Sequence, residues 1–396
     1  MTAPRTRAQF GSMPYEVESA DELASVLTSG RPLTGARLQG LDLSDHEESL
    51  LQRRDVQGLI VLGGEVSAHL EQHLRRHGAM IFPTDPGVPV RPYRGSLYTA
   101  SELYAGIDRD GYDETMDARA YRWSQDASVR HDAYVSVLRA IHDDSMGDAL
   151  HALVNGRRAV GVMGGHALAR GTDGFANAAR LGHHLATEGH VVVTGGGPGA
   201  MEAANLGAWA RDQDTLHRVL ADLADVPTFD GGLDAWVGVA LTSRDAHDHR
   251  DAQDHRGDRE HPGAEGEDAQ VRSIGIPTWH FGHEPPNVFA QRIAKFFSNA
   301  VREDLLLASS NAGLVVLPGA AGTVQEIFQM VTRLYYETVE LPRPLILVGR
   351  EHWTSELPVW PLLLSLGQDR SMGANLHLVD GVDETADIVR DVAAAS

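Results

Sequence analysis

Val315-Val-Leu-Pro-Gly-Ala-Ala-Gly-Thr-Val-Gln-Glu326 decides the fold of this 396-residue chain. Its apolar start predicts a strand, its glycines a tight turn, and its end a helix carrying a carboxylate. The first N–H groups of a helix have no partner within it. Together with the macrodipole they favour a bound anion, and glycines let that anion approach the backbone. A plainer alternative makes Thr323-Val-Gln-Glu326 a capping box, the two side chains satisfying each other's backbone donors.

The same grammar recurs upstream. Gly189-His-Val-Val-Val-Thr-Gly-Gly-Gly-Pro-Gly-Ala-Met-Glu-Ala-Ala204 is a strand, a glycine cluster and a helix with Pro198 placed to open it. Ala159-Val-Gly-Val-Met-Gly-Gly-His166 is a third strand ending in glycines, and Phe175, Ala178, Ala179, Gly182 and Leu185 then follow helical spacing. Further strands are expected around 313–317, 344–348 and 376–379. Alternation of strands and helices predicts an α/β fold with a doubly wound parallel, Rossmann-like sheet, whose ligand lies outside the carboxyl ends of the strands. A smaller N-terminal α/β domain is expected over 1–148, because Gly58-Leu-Ile-Val-Leu-Gly-Gly64, a helix to about His77 and Ala79-Met-Ile-Phe82 read as strand, crossover and parallel strand. The main domain then covers 149–396.

Pro318-Gly-Ala-Ala-Gly-Thr-Val-Gln-Glu326 resembles the Pro-Gly-Gly-x-Gly-Thr-x-x-Glu signature of the LOG proteins, and Gly195-Gly-Gly-Pro-Gly-Ala-Met-Glu202 resembles their upstream glycine motif. LOG proteins were once misnamed lysine decarboxylases and are nucleoside-monophosphate phosphoribohydrolases. The resemblance spans roughly Arg157 to Ala394 and is nearer to the longer bacterial nucleotide nucleosidases. It implies hydrolysis of a nucleoside 5′-monophosphate such as AMP to free base and ribose 5-phosphate, with no cofactor and no metal, in a homodimer or higher homo-oligomer. The family's catalytic pair maps onto Arg302 and Glu326. Two departures stand out: Ala320 replaces the second signature glycine, and Val301-Arg-Glu-Asp304 lacks the usual Arg-Lys pair. The alternative function on this fold is a non-catalytic carrier of a nucleotide or nucleotide cofactor.

The residue types suit that chemistry. N-glycosidic cleavage puts positive charge on the ribose ring, and Glu326 is the carboxylate to meet it. Arg302, permanently charged and forked, suits a phosphate or a departing base. Phosphate and nucleotide contacts are expected from Gly164, Gly165, Gly195, Gly196, Gly197, Gly199, Met201, Glu202, Gly319, Ala321, Gly322 and Thr323. Ile276-Pro-Thr-Trp-His-Phe-Gly-His-Glu-Pro-Pro-Asn287 reads as a stiff aromatic loop. It offers Trp279, His280, His283 and Glu284 as base contacts, although a packed loop covering the sheet explains it equally well.

Composition excludes much else. A formal net charge of −21 opposes binding to nucleic acid or to anionic membrane. With no cysteine there is no disulfide, thiolate nucleophile or cysteine-bound zinc. Without an apolar run of membrane length or a signal-peptide core, a cytoplasmic protein is expected. Residues 245–270 turn abruptly polar and read as a disordered insertion rich in acids and histidines. The only lysine, Lys295, lies in an apolar-rich segment, which opposes a pyridoxal Schiff base.

Overall fold

The structure, a computed structural model, describes residues 15–85, 87–254, 268, 270–280, 284–336 and 343–395. The chain forms two compact units. The first comprises Met1–Ser96 and Asp132–Ser145, the second Leu97–His131 and Met146–Ser396.

In the first unit four short strands, β1 (Glu16–Val17), β2 (Arg37–Gln39), β3 (Ile60–Leu62) and β4 (Met80–Phe82), pair in parallel in chain order. The crossover from β3 to β4 is the helix Ala68–Arg76, capped by Ser67, with Leu70 and Leu74 one turn apart on its buried side. Leu33, Ala36, Leu38, Leu41 and Leu43 are all core residues around β2. Their spacing, which resembles a pentapeptide-type turn, therefore serves a strand and its flanks.

Among the described residues the second unit holds seven parallel strands: β5 (Ala159–Met163), β6 (Val191–Thr194), β7 (Ser273–Gly275), β8 (Arg292–Ile293), β9 (Gly313–Val316), β10 (Leu345–Val348) and β11 (Leu376–Val379). Their order is β11-β10-β9-β5-β6-β7-β8. From β5 the chain winds outward to β8, returns to β9 on the other side of β5, and winds outward again. Winding direction thus reverses between β5 and β9, and the loops leaving their carboxyl ends diverge to make a crevice. Strands β5, β6, β9 and β10 are buried throughout, as apolar runs covered on both faces must be.

Two helices pack on this sheet with unusual closeness. Helix Asp173–Thr187 and helix Ala200–Trp209 meet through Gly182 and Gly207, each lying directly on the other helix's backbone. Every residue of the 200–209 helix is buried. Tyr98 and Tyr104 are buried in this unit too, Tyr104 donating its hydroxyl to Pro286 O at 2.6 Å.

Helix Leu233–Asp254 runs into the stretch read as disordered from 245, and His247 is buried on it. Its apolar first half extends helical order into a polar continuation that could not nucleate a helix alone. Residues 255–267 and 269 of that stretch lie outside the described residues.

Candidate functional site

The carboxyl ends of β5, β6 and β9 are laced by backbone hydrogen bonds. Leu317 N donates to Met163 O (2.9 Å), Gly165 N to Pro318 O (3.0 Å), and Ala200 N to Gly165 O (3.1 Å). Gly164 and Gly165 fit because side chains there would crowd Ala200, Leu317 and Pro318. They therefore hold the three turns together.

The helix after β9 runs from Ala321 to Tyr336, and Val324 N donates to Ala320 O at 3.0 Å. Thr323 thus lies inside the first turn and Glu326 in the second. The capping box is excluded, since it needs threonine at the cap position. Thr323 is only 6% exposed, and its side chain lies over Gly319 where a Cβ would be. No group among the described residues bonds its hydroxyl. Ala320 and Ala321 are exposed, and nothing crowds Gly322.

Arg302, in the first turn of the helix Asn299–Ser309, reaches the ends of β6 and β7 and the helix that follows β9. Its Nε donates to Ile276 O (2.7 Å) just beyond β7, and its Nη2 to Gly195 O (3.2 Å) just beyond β6. Nη1 faces Glu326 Oε1 at 3.6 Å, with side chains 12% and 14% exposed. Burial pushes the Glu326 carboxyl up to about 7; Arg302 opposes this, while the Glu303 and Glu284 carboxylates reinforce it.

Glu303 escaped the sequence reading. Its carboxylate accepts from Asn299 Nδ2 (2.6 Å), Gln325 Nε2 (2.7 Å) and Gln329 Nε2 (3.0 Å), tying the Arg302 helix to the Glu326 helix. The available signal was Gln325 and Gln329 spaced one turn apart.

The turn after β6 has another character. Gly196 and Gly199 have φ of +74° and +71°. A Cβ at Gly199 would lie 2.6 Å from His166 O, and one at Gly196 2.6 Å from Pro277 Cδ. A side chain at Gly195 would strike the Arg302 guanidinium, and one at Gly197 would lie 2.9 Å from Met201 Cε. Asn287, fully buried, donates from N to Gly196 O (2.8 Å) and from Nδ2 to Gly197 O (3.1 Å). Glu202 was expected to contact ligand. Instead it is fully buried, and both of its oxygens accept from Arg170, one at 3.0 Å.

The 276–287 loop divides. Trp279 is 1% exposed, stacked on Phe297 at 4.5 Å and met edge-on by Tyr98 at 6.0 Å. Its Nε1 donates to Asp117 Oδ1 at 3.0 Å, and Lys295 Nζ bonds the same oxygen. The ring is core, with no face for a base. The sole lysine is 2% exposed and held by this pair, out of reach of an aldehyde. His280 is exposed, and His283 lies outside the described residues. Glu284 sits 3.5 Å from His166 Nδ1. Beside His166 a cavity of about 320 Å³ is lined by Leu168, Pro198, Gly199, Phe229 and Trp236, with the Arg170–Glu202 pair also in its wall. Among the described residues no cluster of three or more His, Asp or Glu could hold a metal ion, and no helix is long and apolar enough to cross a membrane.

Residues 157–217 match the SLOG cluster4 family, and residues 260–391 match the family described as possible lysine decarboxylase. No curated protein matches the chain. Among solved structures, the molybdenum cofactor carrier protein of Chlamydomonas reinhardtii is similar over 60% of this chain and 99% of its own, at 16% identity and a TM-score of 0.35. The molybdenum cofactor binding protein of the phototrophic bacterium Rippkaea orientalis is similar over 60% and 98%, at 18% identity and the same TM-score of 0.35.

Proposed function

Since the chain is a protein of the LOG/SLOG family, we propose that it is a nucleoside 5′-monophosphate phosphoribohydrolase. Water adds at C1′ of the ribose, the C1′–N bond breaks, and the base leaves with a proton, giving free base and ribose 5-phosphate. The observation that carries this reading is the Arg302–Glu326 pair, 3.6 Å apart beside the switch-point crevice.

Each residue has a part that its surroundings support. The N–H groups of Ala320, Ala321 and Gly322 and the Thr323 hydroxyl take the 5′-phosphate, which also meets the positive helix end. Glu326, when ionised, faces the cationic ribose of the transition state, where a fixed carboxylate in a partly dry site is most effective. Arg302 keeps its guanidinium beside that centre through two carbonyls and faces the departing base. The base lies toward Glu284 and the aromatic cavity, with Phe229 the ring that meets it, while Trp279 supports the loop from within.

The test is to incubate the protein with purine and pyrimidine 5′-monophosphates and their nucleosides, alongside Glu326→Ala, and to quantify base and ribose 5-phosphate by chromatography. Base release from monophosphates alone, lost in the variant, is expected, and the preferred nucleotide names the substrate. Binding of a nucleotide without cleavage would replace the enzyme with the non-catalytic carrier, a reading for which Ala320 in the signature turn is the supporting departure. Light scattering on the eluted protein tests the homo-oligomer implied by the family.

A further inference from the structure

A histidine from a different strand end grips the turn after β9. Gly349, with φ of +97°, brings the loop after β10 against Pro318, 3.3 Å from its Cγ to a Cβ position. Trp353, fully buried, anchors that loop by donating from Nε1 to Val348 O at 2.9 Å. His352 is thereby set between three neighbours. Its ring meets Trp353 edge-on at 4.5 Å, its Nδ1 lies 2.8 Å from Glu356 Oε2, and its Nε2 lies 3.1 Å from Gly319 O and 3.4 Å from Gly319 N.

Which proton sits where follows from the partners. A carboxylate only accepts, so Nδ1 carries hydrogen toward Glu356. Nε2 then either donates to Gly319 O or accepts from Gly319 N–H. In both states the polar backbone atoms of Gly319 are turned toward His352. Because the peptide is planar and trans, fixing the Gly319 carbonyl toward the imidazole aims the N–H of Ala320 the opposite way. That N–H has no partner among the described residues, nor does the Thr323 hydroxyl, although Thr323 is 6% exposed and lies over Gly319. A hydroxyl on a largely buried residue, bonded by no group among the described residues and next to helix-start amides that have no partner within the helix, is a donor site available to an anion.

We propose that His352, held by Glu356, is a positioning residue that orients the Gly319–Ala320 peptide so that the turn after β9 binds the phosphate dianion of the substrate. The proposal rests on the phosphoribohydrolase reading for the word substrate, but the anion site itself does not. It also accounts for the tolerance of Ala320: the turn's orientation comes from a clamp on the Gly319 side, so a second glycine is not required to reach it. His352 touches no reacting atom. It sets affinity for the phosphate end and leaves the Arg302–Glu326 centre alone.

The experiment compares wild type, His352→Ala, His352→Gln and Glu356→Gln. Inorganic phosphate is titrated by 31P NMR, and kcat and KM are measured on the preferred nucleotide. Loss of a hydrogen bond to a charged ligand's site predicts about tenfold weaker phosphate binding and a KM raised about tenfold in His352→Ala, with kcat within about twofold. His352→Gln, whose amide can still donate to Gly319 O, restores most of both, and Glu356→Gln shifts both the same way by less. Unchanged phosphate affinity in a folded His352→Ala overturns the proposal, as does a fall in kcat without change in KM. Should His352→Ala not fold, Glu356→Gln decides by the same criteria. Should phosphate binding follow the expected order while no nucleotide is cleaved, the positioning role stands and the hydrolase reading falls.

Discussion

At Gly195–Glu202 the glycines are buried: side chains at Gly195, Gly196 and Gly199 would collide with Arg302, Pro277 and His166, and the closing glutamate is wholly taken up by Arg170. At Pro318–Glu326 the turn is exposed, nothing crowds Gly322, the Thr323 hydroxyl has no partner among the described residues, and burial pushes the closing glutamate up to about 7 beside an arginine it does not tightly bond. Both stretches read strand, glycines, helix, glutamate. The first spends its glycines on close packing and its carboxylate on a buried pair. The second leaves donors and a carboxylate available. Equal sequence grammar therefore separates into a support and a working edge only when the neighbours are known.

The comparison is broken most severely at Glu202. Removing it strands the Arg170 guanidinium, whose side chain is 1% exposed, in the core, and Glu202→Ala should cost about 3–5 kcal/mol in urea unfolding. A stability close to wild type would mean that the two turns are not different in kind.

Glu326→Gln should behave in the opposite way. Because burial raises this carboxyl from its ordinary 4.5 to about 7, the folded state favours the protonated form. That contribution is complete below about 4.5 and is lost as pH rises through about 7. The glutamine variant should match wild type near pH 4.5 and exceed it above pH 7, by about 3 kcal/mol. Urea midpoints at the two pH values decide this, and a variant less stable than wild type at pH 8 would contradict it.

Activity offers a finer cut. A carboxylate that acts ionised makes kcat rise with pH through an apparent value near 7. Glu303→Gln removes one of the charges that hold Glu326 high, so the acid limb should move to lower pH, whereas Glu202→Gln should leave it in place. The smallest expected effect contrasts two glycines. Gly322→Ala, in an open helical position, should stabilise by about 0.5–1 kcal/mol, but Gly199→Ala must distort the Gly165–His166 backbone and lower the melting temperature.

Much of this could be read in the sequence because it is local. Apolar runs of four or five residues bounded by glycines predicted β5, β6, β9 and β10, and their alternation with helical spacing predicted a parallel doubly wound sheet. Arg302 and Glu326 were singled out through the family resemblance and not through any local pattern; they lie 3.6 Å apart. What stayed hidden depends on which elements become neighbours. Trp279 looks like a base platform until Phe297 and Tyr98 are seen to occupy its ring. Asn287 looks like the end of a loop until its amide is found clamping Gly196 and Gly197. His352 reaches Gly319 only because β10 lies next to β9. No spacing rule encodes such contacts.

The lone lysine has a practical consequence. Its ammonium is sealed against Asp117 beneath Trp279, so an amine-reactive label finds a single ε-amine and finds it only when that part of the molecule opens. The rate at which Lys295 is modified is thus a built-in, one-site clock for local opening, read by mass spectrometry on unaltered protein.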